Sequence, residues 1–217
     1  MNLMLGGVYR AKKRTEIMLN KYLIPKLFLL FTFMLLGFKV AEPGKVKGWY
    51  ISGASPANYE IGIENSAERG GKVAYLKSIK SGGNFGTIMQ TFFPEAFLDK
   101  RVRLTGFIKS ENINDWAGMW FRVDGEDKKM LSFNNMQNRP IEGTTNWTKY
   151  EIVLDVPQKS KAIAYGVLIC GEGKVWIDDL EFEVVDKSVR VSEMGPVKKN
   201  GSGQQNKPVN NHFEETE

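Results

Sequence analysis

The segment Asp115–Asp124, DWAGMWFRVD, holds the residues best suited to recognising a ligand. Read as a β-strand, its successive side chains alternate between two faces. Ala117, Met119, Phe121 and Val123 form one continuous apolar face, fit for a core. The opposite face carries Trp116, Gly118, Trp120, Arg122 and Asp124, where a plain solvent face would hold Lys, Thr or Glu. Two indoles beside an arginine and an aspartate make a flat apolar platform with hydrogen-bonding groups at its edge. A sugar ring has the matching surface: its C–H face lies on the indole and its hydroxyls meet Arg122 and Asp124. The alternative is that both tryptophans pack under loops or against a second buried sheet face.

Amides are the next candidates. Asn134 and Asn135, followed by Gln137 and Asn138 in FNNMQNRP, offer donor and acceptor together and so suit the reading of hydroxyls. They are equally the residues of a turn before Arg139-Pro140. Trp147 opens a strand and reads as a core or rim aromatic. Asp178 and Asp179 could donate oxygens to a structural calcium with Glu64 or Glu68, although no spaced Asp ladder surrounds them; no other cofactor is expected. The sequence has one histidine and one cysteine. His212 falls in the polar tail, and Cys170 without a histidine partner reads as a small buried apolar residue. A triad, a cysteine-rich zinc site and an internal disulfide are therefore excluded, and no pair of carboxylates stands out for hydrolysis. The expectation is a protein that is not an enzyme.

These side chains must be positioned by β-structure. Between Gly48 and Val185 the sequence breaks into about ten short β-type runs separated by turn residues such as Arg69-Gly70-Gly71, Asp124-Gly125-Glu126-Asp127 and Gly171-Glu172-Gly173. Arg101–Lys109 alternates Val102, Leu104 and Ile108 against Arg101, Arg103 and Thr105. Thr148–Val156 alternates Tyr150, Ile152, Leu154 and Val156 against Lys149, Glu151 and Asp155. Lys174–Val185 changes phase at Asp178-Asp179, the mark of a β-bulge. With no 3.6-residue pattern between the runs, the fold class is all-β: an antiparallel jelly-roll sandwich over residues 46–186.

The charge of +5 is unevenly spread. Residues 1–45 hold 8 basic and 2 acidic side chains, whereas residues 46–186 hold 17 and 19. The body has no positive excess to lay on a nucleic acid, so none is expected as a direct partner. Arg10 to Lys26 precede an apolar run, LFLLFTFMLLGF, whose twelve residues reach only about 18 Å as a helix. A basic region before a short apolar one reads as a signal peptide or membrane anchor over residues 1–42, with Met18 a possible start. Secretion or tethering outside the cytoplasmic membrane follows, with membrane contact through that segment alone. Residues 187–217, rich in Gly, Ser, Asn, Gln and Lys, read as a disordered polar tail.

The segments LTGFIKSENINDWAGMWFRVD, NWTKYEIVLDVP and GEGKVWIDDLEFE resemble the carbohydrate-binding-module jelly rolls of the galactose-binding-like superfamily. WAGMWFRVD with NNMQNRPIEGTTNW is also similar to a bacterial sandwich domain carried by proteins labelled transcriptional regulators. The resemblance implies a non-catalytic module that binds a glycan or similar polyhydroxylated ligand. The alternative it implies is a ligand-sensing or protein-interaction module associated with transcriptional regulation.

Overall fold

A computed structural model describes residues 45–192 and 211–213. The expected signal peptide or anchor over residues 1–42 lies outside the described residues. Nine antiparallel strands make up the body: β1 (Tyr50–Gly53), β2 (Tyr59–Ser66), β3 (Gly71–Ser78), β4 (Phe85–Phe92), β5 (Lys100–Asp124), β6 (Met130–Asn134), β7 (Ile141–Val156), β8 (Ala162–Cys170) and β9 (Lys174–Val185). Among the described residues no helix is long and apolar enough to cross a membrane.

β5 organises the rest. Its 25 residues span both Arg101–Lys109 and Asp115–Asp124, expected as separate strands, which is why nine are found and not ten. Residues Arg101–Glu111 pair with β9, whereas Trp116–Asp124 pair with β8. One half therefore lies in a layer ordered β2-β3-β9-β5-β7, and the other in a layer ordered β1-β4-β8-β5-β6. The bend between them passes through Asn112, in the left-handed region at φ 53°. Pairing with β7 continues across it, from Lys100↔Val156 to Ala117↔Ile141, with three register shifts.

The core is the space between the two layers. Ala117, Met119, Phe121 and Val123 are fully buried there, facing Val102, Leu104, Ile108, Ile152 and Ile177. Phe92, Tyr165 and Phe182 pack edge to face within it, with ring centroids 4.8–5.9 Å apart. Gly106 is needed beneath Leu180, since a Cβ there would come within 2.4 Å of Cδ2 of that leucine. The two layers together form an antiparallel jelly-roll sandwich.

The chain does not leave this body at Asp186. The Arg101 guanidinium donates to the carbonyls of Lys187 and Val189 at 2.6 Å each and to the Asp155 carboxylate. Ser192 then donates its N–H to the Val153 carbonyl and accepts the Val153 N–H on Oγ. Further on, Phe213 is 0% exposed, inside the core. The expectation of a disordered tail is thus corrected for residues 187–192 and 211–213. Composition averages over a segment, while single anchors such as Phe213 find preformed partners in the body.

Candidate functional site

Residues directly paired across strands share a face of the sheet. From β5, the row Trp116–Cys170–Phe85 crosses to β8 and β4. The row Trp120–Gly166–Met89–Tyr50 crosses to β1, and Phe133–Arg122–Ala164–Thr91 starts from β6. The outer face of this layer therefore gathers five aromatic residues around the small residues Gly166 and Ala164. Met89, Trp120, Ala164 and Leu168 are buried in a hydrophobic cluster distinct from the core, and Tyr50, Phe85, Trp116, Phe133 and Cys170 pack around it half-buried.

Alternation thus places Trp116, Trp120, Arg122 and Asp124 on one face, as expected. The exposure of Trp120 is a different matter. Its side chain is not an open stacking surface; the residue is 6% exposed. Its indole Nε1–H donates to Thr87 Oγ1 at 2.8 Å. Thr87 lies on β4, two strands away from β5, and strands are about 4.8 Å apart. The indole must therefore lie down across β8, over the lane left open at Gly166. No side chain fits at that glycine, where a Cβ would meet the Ile88 carbonyl oxygen at 2.0 Å. Thr87 passes its own hydroxyl hydrogen to the Val167 carbonyl at 2.8 Å, so the buried polar end of the tryptophan is satisfied. Trp120 forms the floor of the face, and half-buried Trp116, Tyr50, Phe85 and Phe133 stand around it.

Arg122 and Asp124 sit beside this floor as an ion pair, with both Arg122 Nε and Nη2 at 2.9 Å from Asp124 Oδ2. The amides do not join them. Asn134 is 2% exposed, and its Oδ1 accepts the Met136 N–H at 2.9 Å. Asn135 Oδ1 accepts the Gln137 N–H at 3.1 Å. Both act as turn-forming residues: Asn134 is buried away from ligand, whereas Asn135 is half-buried and engages its turn through Oδ1. The turn itself approaches the face: a Cβ at Gly118 would lie 2.7 Å from the Asn135 carbonyl oxygen.

The expected bulge in β9 is present, with Asp179 at φ 49°. Its two carboxylates share one arginine. Arg69 donates from Nε to Asp178 Oδ2 at 2.7 Å and from Nη2 to Asp179 Oδ2. Burial pushes the Asp178 carboxyl up, against the pull of Arg69. Glu64 holds Lys174 and the Trp176 indole N–H, and Glu68 holds Lys109. Among the described residues no group of three or more His, Cys, Asp and Glu side chains could hold a metal ion. Burial drives the Cys170 thiol up to about 12, which removes it as a nucleophile at neutral pH.

Sequence reasoning missed the outer face of the other layer. Tyr75, Phe107, Trp147 and Trp176 lie there under a covering of cations. Arg69 is 4.0 Å from the Phe107 ring centre, and Lys174 is 4.4 Å from that of Trp176. Three of the cations, Arg69, Lys109 and Lys174, meet four carboxylates, Asp178, Asp179, Glu68 and Glu64, while Lys149 lies 5.8 Å from the Phe107 ring. Alternation of Lys174 and Trp176 was a signal for it; the loop that brings Arg69 over the face left none. A groove of about 740 Å³ adjoins it, lined by Arg103, Lys149, Glu151, Glu181 and His212 among others.

No protein-family model matches the chain. Over 148 residues, 67% of its length, it is 47% identical to a protein named uncharacterized HTH-type transcriptional regulator YbfP, of Bacillus subtilis (strain 168). Those residues make up 50% of that protein, so the chain spans about half the length of the curated relative it matches. Among solved structures, the enzymatically active domain of bacteriophage CBA120 tailspike protein 4 superimposes with a TM-score of 0.50 at 11% identity, covering 65% of this chain and 20% of that one. The C-terminal family 22 carbohydrate-binding module of Clostridium thermocellum Xyn10B gives 0.45 at 10% identity, with 64% and 87% covered. Such identities speak for the fold alone. The chain has the two likenesses expected from its motifs, in fold to carbohydrate-binding-module jelly rolls and in sequence to half of a protein labelled a transcriptional regulator.

Proposed function

We propose that the chain is a non-catalytic module that binds a polyhydroxylated ligand, a glycan or small sugar, on the outer face of the β1-β4-β8-β5-β6 layer. The observation that carries this reading is the group of half-buried aromatics, Tyr50, Phe85, Trp116 and Phe133, around the floor made by Trp120. Aromatic edges and faces stack on the C–H side of a sugar, and the adjacent Arg122–Asp124 pair orients its hydroxyls. Trp116 takes the stacking role, and Trp120 supports it from below. A glycan array, followed by calorimetry on the best hit, tests the reading. Trp116→Ala should abolish binding while leaving the melting curve near wild type. Unchanged binding by that variant would move the site elsewhere.

A second reading, a ligand-sensing module allied to transcriptional control, is favoured by the 47% identity to half of a regulator. Binding of soluble mono- or oligosaccharides with no affinity for insoluble polysaccharide would speak for it. The basic and then apolar N-terminus supports a place outside the cytoplasmic membrane. Cell fractionation tests that: full-length protein in the soluble cytoplasmic fraction with its N-terminus intact would overturn it.

A further inference from the structure

β9 has a strand on both sides only as far as its bulge. β3 pairs with it over Lys174–Ile177, and beyond Asp178 only β5 remains. The edge so exposed is occupied by the segment Asn211–Phe213. The Leu180 N–H donates to the Asn211 carbonyl at 3.4 Å, and the buried Tyr165 hydroxyl donates to Asn211 Oδ1 at 2.7 Å. His212 Nδ1 lies 2.7 Å from Asp179 Oδ1, on the carboxylate already held by Arg69. Phe213 is fully buried, its ring 5.4 Å from that of Trp49, which in turn packs against Tyr165 at 5.2 Å.

These contacts have the parts of a peptide-recognition site: a free strand edge for the backbone, two polar readers and a deep apolar socket. None of the readers comes from the segment itself. All belong to the body: Tyr165, Asp179 and Leu180 are set by its strands and bulge, and Trp49 by a bridge to Val46 just before β1. We propose that the body carries a peptide-binding slot for an Asn-His-Phe segment, and that the chain's own tail is its ligand. Eighteen residues separate Ser192 from Asn211, enough to span up to about 60 Å, so the tail of the same chain reaches the slot. Tethering puts that tail at an effective concentration of about a millimolar, which favours it over other copies at micromolar protein.

The test uses full-length Phe213→Ala and a synthetic peptide of residues 209–217. The variant should melt on the order of 10 °C below wild type, since a buried ring is lost. The peptide should bind it saturably and raise its melting temperature towards wild type, while a peptide with alanine in place of the phenylalanine does neither. Wild type should bind the peptide at least ~10-fold more weakly, its slot being filled. Folded Phe213→Ala that ignores the peptide, or wild type that binds it equally well, would overturn the proposal. Should the variant fail to fold, a protease site inserted between residues 199 and 204 of the otherwise unchanged chain serves instead. The cut tail should co-elute with the body and be displaced by excess peptide; a tail that separates from a folded body overturns the slot. A dimer at micromolar concentration, abolished by Phe213→Ala, would overturn its filling by the same chain.

Discussion

Trp120 and Thr87 form a buried relay in which one hydroxyl accepts from the indole and donates to the Val167 carbonyl. Thr87→Val keeps the shape but leaves the indole N–H without its acceptor, which costs about 1–3 kcal/mol. Trp120→Ala removes the whole ring and costs about 3–5 kcal/mol, read from a urea melt. Trp116→Ala, with a half-buried ring, costs well under that. These residues were legible in the sequence as far as alternation goes: the side of the sheet was right for Trp116, Trp120, Arg122 and Asp124. The tilt of Trp120 was not, because it is decided by Gly166 and Thr87 on strands that are remote in sequence. Asn134 and Asn135 could be read as contacts or as turn residues, and the turn role is visible only in the N–H groups they accept. At Asp155, Arg101 holds the carboxyl below its ordinary value of 3.8. A depressed folded value means stability that is present above the ordinary value and lost as pH falls from there through the depressed one. Asp155→Asn should therefore flatten the acid side of a stability–pH curve, measured by chemical melts between pH 2 and 6.

Among the elements, β5 and β9 show what a pattern of alternation can and cannot carry. Each half of β5 alternates in register with its own layer, so both were readable as strands. Their continuity was not, because SENINDW between them holds no apolar face of its own. The join is made by hydrogen bonds to β7 and by Asn112 in the left-handed region. Asparagine tolerates that conformation, and a β-branched residue does not. Asn112→Val should cost on the order of 1–2 kcal/mol, whereas Asn112→Gly should be close to neutral, both judged by thermal melts. The bulge in β9 was readable, since Asp178-Asp179 interrupts two apolar phases. Its consequence, a free edge next to an apolar socket, required knowing that β3 ends its pairing there.

For the molecule as a whole, composition separated a body from its termini but placed the end of the folded part too early. Arg101 and Val153 hold residues up to Ser192, and Phe213 completes the core. A chain ending at residue 192 should therefore unfold at a lower temperature than one that keeps residues 211–213, by scanning calorimetry. The sharing of β5 between the layers reaches further than architecture. Its residues have paired neighbours on both sides over most of Arg101–Ile108 and again over Phe121–Asp124, so water can reach those amides only when a flanking strand has separated. In a deuterium-labelling experiment the amides of Arg101–Ile108 and Phe121–Asp124 should be the last to exchange, and those of Asn112–Asp115 should exchange earlier. β7 pairs with both halves, from Lys100 to Ala117, so separating either layer at β7 disturbs the pairing of the other.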